Sequence, residues 1–199
     1  MVKVGVVAVQ GDFLEHIQAL RELSGVEPVV VKSARDLSDV DALVIPGGES
    51  TTIGSLMRVK GLDAAIVDLA ERGIPIMGTC AGAIILAKRV VDRVVGETGQ
   101  FLLSLMDIAV VRNAFGRQRE SFTTDVYVDG VGKVRAIFIR APAIVEAWGE
   151  ARILAYVDHY SSGKVGAVAI ERNLLTTTFH PELSGDLKIY EYLLSMAKR

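Results

Sequence analysis

Residues 2–9 read Val-Lys-Val-Gly-Val-Val-Ala-Val. That run is too uniformly apolar for a strand with one wet face and predicts a central parallel strand covered on both sides. Gln10-Gly11-Asp12 interrupts it, and Asp12 is placed to cap a helix reaching about residue 24. Phe13, Ile17, Leu20 and Leu23 form the buried stripe of that helix. His16, beside Glu15, is expected to face solvent. Strands follow at 28–31 and 41–45, the second closed by Pro46-Gly47-Gly48-Glu49-Ser50-Thr51-Thr52. Helices over 50–59 and 62–72 return the chain to a short apolar strand, 74–77. Gly78-Thr79-Cys80-Ala81-Gly82 comes next, and then the apolar stretch 83–87. Strands alternating with helices predict a right-handed, mostly parallel sheet with helices on both faces.

After residue 95 the pattern changes. Short strands are expected at 107–111, 122–128, 135–139, 152–157, 165–170 and 174–179, with turns rather than helices between them. This half predicts antiparallel strands that extend or flank the first sheet, and a final helix over 185–196 closes the chain. No repeat, low-complexity stretch or linker divides the sequence, so residues 1–199 are expected to form one domain.

Composition narrows the function classes. Half of the 199 residues are hydrophobic, yet no apolar run reaches membrane-span length. A net charge of −2 argues against a general nucleic-acid binder. The strand-like N-terminus lacks the cleavage site of a signal peptide. One cysteine cannot form an internal disulfide, so a reducing compartment and a soluble, cytoplasmic protein are expected.

That cysteine sits at the apex of a strand-turn-helix. A G-x-nucleophile-x-G elbow holds a side chain exposed in a strained conformation, and small neighbours let the backbone turn sharply. A thiol there also meets a helix N-terminus, which favours thiolate. Taken alone, Cys80 is equally an ordinary core-filling cysteine. Gln10-Gly11, residues 46–50 and the cysteine turn all fall at carboxyl ends of expected parallel strands, the edge where open α/β sheets bind ligands. Gly47-Gly48 suits an oxyanion hole or anion nest, or a turn that merely reverses the chain. It is not a phosphate loop of the Walker type, because no lysine follows.

Phe179-His180-Pro181-Glu182 supplies the second constellation. If the extended chain continues through Pro181, His180 and Glu182 point the same way, with Cα atoms about 6.6 Å apart. A carboxylate so placed can orient and charge-stabilise the imidazole of a Cys-His-acid triad, although an isolated His-Pro is more often a surface turn. His159 falls in a turn. Scattered histidines and a lone cysteine give no zinc spacing, and no metal is expected. Arg112, Arg117 and Arg119 form either a solvated basic face or a clamp for a carboxylate or a partner.

Together these stretches resemble the class I (triad) glutamine amidotransferases, and within them the glutaminase subunits of pyridoxal 5′-phosphate synthase. The resemblance rests on Val9-Gln10-Gly11, Pro46 to Thr52, Gly78 to Gly82, Arg112-Asn113-Ala114-Phe115-Gly116-Arg117-Gln118, Phe138-Ile139-Arg140-Ala141-Pro142 and Phe179 to Leu183. It implies a three-layer, flavodoxin-like α/β sheet, mostly parallel with an antiparallel extension, and hydrolysis of L-glutamine without a cofactor. By carry-over Cys80 is the nucleophile, His180 the proton carrier and Glu182 its orienter. Gly48, Glu49, Ser50, Arg112, Ile139 and Arg140 match glutamine-binding positions, with Gly48 and Ala81 as the oxyanion hole. The implied partner is a (β/α)8-barrel synthase subunit, and Gln10 is the position coupled to its docking. One departure stands out: Leu103-Ser104-Leu105 occupies a place where the family usually has a Leu-Gly step, which puts the local loop shape in question. The rival readings are the glutaminase subunit of another amidotransferase, a thiol peptidase or hydrolase on a similar fold, and a non-catalytic subunit with a vestigial triad.

Overall fold

The computed structural model describes residues 1–116, 121–159 and 163–197. The predicted parallel core is present: β1 (Val2–Val7) lies between β2 (Val26–Val31) and β3 (Ala42–Ile45), followed by β4 (Ile76–Thr79) and β13 (Leu174–Thr177). The resulting order, 2-1-3-4-13, is that of a flavodoxin-like doubly wound sheet, with its switch point between β1 and β3. β3, β4 and residues 4–7 of β1 are buried throughout because both of their faces are covered. On one face lie α1 (Phe13–Arg21) and α5 (Lys188–Ala197), which contribute Ile17, Leu20, Ile189 and Leu193. On the other lie α2 (Ser50–Val59), α3 (Leu62–Glu71) and α4 (Ala81–Leu86), which contribute Ile53, Met57, Ile66 and Ile85. Each such side chain stabilises the fold by about 1.5–3 kcal/mol relative to exposure.

The antiparallel extension is also present, and it is more elaborate than the sequence predicts. β12 (Gly163–Glu171) pairs antiparallel with β13 and with β11 (Arg152–His159). Beyond β12 come β10 (Ala143–Ala147), β7 (Met106–Arg112), β5 (Ala87–Asp92) and the two-residue β6 (Gly96–Glu97), antiparallel as expected except that β5 pairs parallel with β7. β5, β6 and β10 have no counterpart among the expected strands. β5 escapes notice because α4 leads straight into it and its Lys88 and Arg89 are exposed, which breaks the apolar run. β8 (Ser121–Val128) and β9 (Gly132–Ile139) form a separate hairpin whose Val126, Val134, Ala136 and Phe138 pack into the core on the α1 and α5 face.

At the Leu-Gly departure, Ser104 takes φ +55°, a left-handed conformation that glycine adopts freely, and it is exposed, so serine holds this turn at a modest backbone cost. Among the described residues no helix is long and apolar enough to cross a membrane.

Candidate active site

Four loops meet at the carboxyl edge of the parallel strands. β4 and β13 run in parallel register with Thr79 opposite Thr177, and the Cys80 N–H donates to the Thr177 carbonyl at 2.8 Å. This pairing brings the residue after β4 and the chain after β13 to one place, although they are a hundred positions apart in sequence. Cys80 sits at φ +49°, ψ −99°, a conformation rare for a residue with a Cβ, and α4 starts at Ala81. The flanking glycine is a steric requirement: a Cβ on Gly82 would lie 2.2 Å from the Ile45 carbonyl oxygen at the end of β3.

His180 is fixed by its backbone N–H, which donates to the Ile137 carbonyl of β9 at 2.8 Å. Its Nδ1 lies 2.5 Å from Glu182 Oε1. The expected contact exists, but its geometry differs from the prediction: Pro181–Leu183 is a single 3-10 turn rather than extended chain. Proline at the first position of that turn fixes its φ, and the turn folds the Glu182 carboxylate back onto the ring.

Asp12 holds the N-cap position of α1 as expected but makes no side-chain capping bond; its Oδ2 lies 3.3 Å from His180 Nδ1 instead, because a charge-assisted contact with the imidazole outweighs a neutral cap. The other reading of α1 is corrected. His16 does not face solvent but is fully buried, with Nε2 3.0 Å from Thr79 Oγ1 and Nδ1 2.7 Å from the Tyr190 hydroxyl. One helical turn separates Asp12 from His16, so one face of α1 turns toward both members of the His-Glu pair.

Burial works against a charged His180, but hydrogen bonds to Asp12, Cys80 and Glu182 outweigh it and push its pKa up to about 12. Nδ1 is committed to the carboxylates, which leaves Nε2 for the sulfur. Asp12 is held below the usual carboxylate range, chiefly by its hydrogen bond to His180 and against the cost of burial. Asp12, His180 and Glu182 are also the described residues whose potential ligand atoms crowd together, within 4.8 Å. Both carboxylates close on a single imidazole nitrogen, an arrangement suited to sharing a proton.

Cys80 and His180 open into a cleft of about 420 Å³ that is also lined by Gly48, Glu49, Ser50, Arg112, Ile139 and Arg140. Every residue matched to a glutamine-binding position is therefore in one cavity. Glu182 stands behind His180, Ala81 opens α4 beside the sulfur, and Gln10 Oε1 accepts from the Glu49 N–H at 3.0 Å. A Cβ on Gly48, whose φ is +143°, would meet that Gln10 oxygen at 2.7 Å, so only glycine allows the β1 and β3 loops to stack this closely. Glu49 caps α2 by accepting from the Thr51 and Thr52 N–H groups. Burial raises its proton affinity, but those bonds hold its carboxyl below the usual range.

Arg112 is held by several partners. Its Nη1 donates to Gln100 Oε1 at 2.6 Å, its Nη2 lies 3.4 Å from Glu49 Oε1, and its Nε lies 3.7 Å from Asp92 Oδ2. Asp92 also accepts from Asn113 Nδ2 at 2.8 Å. Sequence reasoning missed Asp92 and Gln100, which carry no motif of their own; Asn113 was signalled only by the run beginning at Arg112. Arg117, Gln118 and Arg119 lie outside the described residues. His159 ends β11 rather than sitting in a turn, and its Nε2 lies 3.0 Å from the Ala114 carbonyl; it is not among the residues that line the cleft. Like Cys80, the cleft residues Asn113 (φ +53°) and Arg140 (φ +45°) hold left-handed backbone, the kind of local strain that collects at functional sites.

Comparison with known proteins agrees with this geometry. Residues 6–199 match the SNO glutamine amidotransferase family. A curated relative from Hyperthermus butylicus, named pyridoxal 5′-phosphate synthase subunit PdxT, is 54% identical and the match covers 100% of this chain and 98% of the relative. A relative of the same name from Pyrobaculum neutrophilum is 53% identical, with 98% and 99% covered. A solved structure described as a glutamine amidotransferase superposes with a TM-score of 0.89 at 40% identity, covering 98% of this chain and 99% of that one. On the sequence match, the structural likeness and a cysteine elbow facing a carboxylate-held histidine, this chain belongs to the SNO glutamine amidotransferase family.

Proposed function

We propose that this chain hydrolyses L-glutamine to L-glutamate and ammonia through a thioester on Cys80, and that it supplies the ammonia to a synthase subunit making pyridoxal 5′-phosphate. The observation that carries the reading is a single cleft in which Cys80 and a carboxylate-held His180 share space with two arginines. Glutamine needs a nucleophile for its side-chain amide and a cation for its α-carboxylate. Arg112 or Arg140 supplies the cation.

The Cys80 thiolate attacks the amide carbon, and the backbone N–H groups of Gly48 and Ala81 receive the developing oxyanion. As the C–N bond breaks, His180 gives its Nε2 proton to the nitrogen, which leaves as ammonia. A water then loses a proton to His180 and attacks the γ-glutamyl thioester; the C–S bond breaks, glutamate forms and the thiolate returns. Glu182 keeps the imidazole oriented and balances its charge throughout.

Ammonia released into water becomes ammonium and loses its nucleophilicity, so a covering partner has a chemical purpose. The named relatives are subunits of such a synthase, and a (β/α)8 barrel is the partner we assign. Ile139 and Leu183 line the cleft while remaining 38% and 42% exposed, and a docked subunit would bury them. Glutamate release should be weak for the chain alone and rise when the barrel subunit is added, with Cys80→Ala and His180→Ala inactive in both settings. Equal turnover with and without the barrel would refute the coupling; an active Cys80→Ala would refute the chemistry.

A further inference from the structure

The Cys-His-Glu triad leaves two buried polar groups without a role, His16 on α1 and Tyr190 on α5. Both are completely buried, on helices that otherwise supply apolar packing to the same face of the sheet. Placing an imidazole and a phenol there costs free energy unless every polar atom is used. They meet each other and the back of the triad: Tyr190 OH to His16 Nδ1 at 2.7 Å, His16 Nε2 to Thr79 Oγ1 at 3.0 Å, and His16 Nε2 to Glu182 Oε2 at 3.4 Å. Glu182 Oε2 is the oxygen turned away from His180; it is buried and has no hydrogen bond of good geometry among the described residues.

We propose that His16, held by Tyr190, is a positioning residue for the triad acid: the positive end of its Nε2–H dipole faces Glu182 Oε2 at 3.4 Å and so steadies, electrostatically, the carboxylate whose other oxygen steers His180. This rests on the triad reading above. The tautomer follows from the contacts. With the proton on Nδ1, the bare Nε2 lone pair would face a carboxylate oxygen in a site without solvent. With the proton on Nε2, its one N–H is bonded to Thr79 Oγ1 while its positive end still faces Glu182 Oε2 at 3.4 Å, and Nδ1 accepts from the Tyr190 hydroxyl. Burial drives His16 toward the neutral form, so it acts as a dipole and not as a second cation. A neutral donor suits the task, because a buried cation would compete with His180 for the same carboxylate.

The arrangement ties the triad to two helices. α1 supplies His16 and α5 supplies Tyr190, so the angle of the Glu182 carboxylate depends on how these helices seat on the sheet. The edge-on approach of the His16 and Tyr190 rings, with centroids 5.9 Å apart, fixes their mutual orientation.

The test uses the full chain with its synthase subunit present, measuring kcat and KM for glutamate release with Cys80→Ala as a control. His16→Leu, which removes the donor, should lower kcat by about tenfold or more and leave KM within about twofold. His16→Gln, whose amide can still donate, should retain kcat within about threefold. Tyr190→Phe should cost a few-fold by itself. Added to His16→Leu it should cost nothing further, because the hydroxyl acts only through the imidazole. A His16→Leu protein that folds and keeps full kcat overturns the inference, and so does a Tyr190→Phe loss that multiplies with that of His16→Leu. Should His16→Leu fail to fold by circular dichroism, the decision passes to His16→Gln and Tyr190→Phe. In that case a His16→Gln loss as deep as that of His180→Ala, or a Tyr190→Phe effect on KM instead of kcat, overturns it. Activity in Cys80→Ala would sink the triad reading itself, whereas an inactive Cys80→Ala beside a fully active His16→Leu sinks only this inference.

Discussion

Gly47→Ala tests whether the position of the imidazole, and not merely its presence, sets the rate. Gly47 follows β3 and faces the His180 ring: a Cβ there would lie 2.6 Å from His180 Cε1 and 2.8 Å from Asp12 Oδ2. Ordinary contact begins near 3.4 Å, so the ring must retreat by about 0.8 Å. Its backbone conformation is one alanine can adopt, and the obstructing atoms belong to side chains. The fold should therefore survive at an overpacking cost of about 1–3 kcal/mol. A catalytic group displaced by about 1 Å costs on the order of 10²-fold, or about 2.7 kcal/mol of barrier. Glutamate release by Gly47→Ala should fall roughly a hundredfold in kcat, with glutamine affinity little changed because no arginine moves. Gly82→Ala provides the contrast: its Cβ would strike the Ile45 carbonyl oxygen at 2.2 Å, backbone that cannot yield, so thermal melting should show the fold itself weakened. A Gly47→Ala enzyme within twofold of the parent would refute the argument that sub-ångström placement of His180 governs turnover.

The strain at Cys80 predicts that Cys80→Gly, although inactive, is more stable than Cys80→Ala by about 1–2 kcal/mol, since both lose the sulfur and only glycine accepts φ +49°. Denaturant midpoints decide it, and an alanine variant at least as stable would show that the elbow stores no strain. Asp12 has a depressed folded pKa, so the stability it adds is present above its ordinary value of 3.8 and lost as pH falls through the folded value. Asp12→Asn should accordingly be less stable at pH 7 by up to about 1 kcal/mol, the contact being partly exposed, with the gap closing in acid. A difference that persists unchanged to pH 2.5 would contradict this. Arg112→Lys keeps the charge but loses the planar fork that Gln100 and Glu49 hold. It should raise KM for glutamine about tenfold with a smaller effect on kcat, and an unaltered KM would move the carboxylate-binding role to Arg140.

Several features were legible because they are local. The Gly-Thr-Cys-Ala-Gly elbow requires small residues within two positions of the nucleophile, so the requirement is written in consecutive letters. The same holds for Gly47-Gly48 and for the His-Pro-Glu turn, where even a wrong backbone expectation found the right pair. His16 was misread, and the contact of the Asp12 side chain missed, for the opposite reason. Their spacing of four says that they share a face of α1, but nothing in the helix says that this face meets His180 and Glu182. Solvent and a capping bond were the local defaults, and long-range contacts replaced both. Asp92 and Gln100 were invisible because each serves the site only by bracing Arg112, a relation with no sequence spacing.

By itself, then, the order of residues determined the parallel α/β core, much of its largely antiparallel second half and the three turns that carry the cysteine, the glycine pair and the histidine. Hydrophobic periodicity and turn chemistry act over a few residues, and a reader of the sequence can apply them directly. Only the tertiary structure decided that Thr79 pairs with Thr177, that β9 anchors the His180 backbone, and that α1 turns Asp12 and His16 inward. Those choices come from packing two helical layers on a twisted sheet, where the energy of each contact depends on residues brought together from distant parts of the chain.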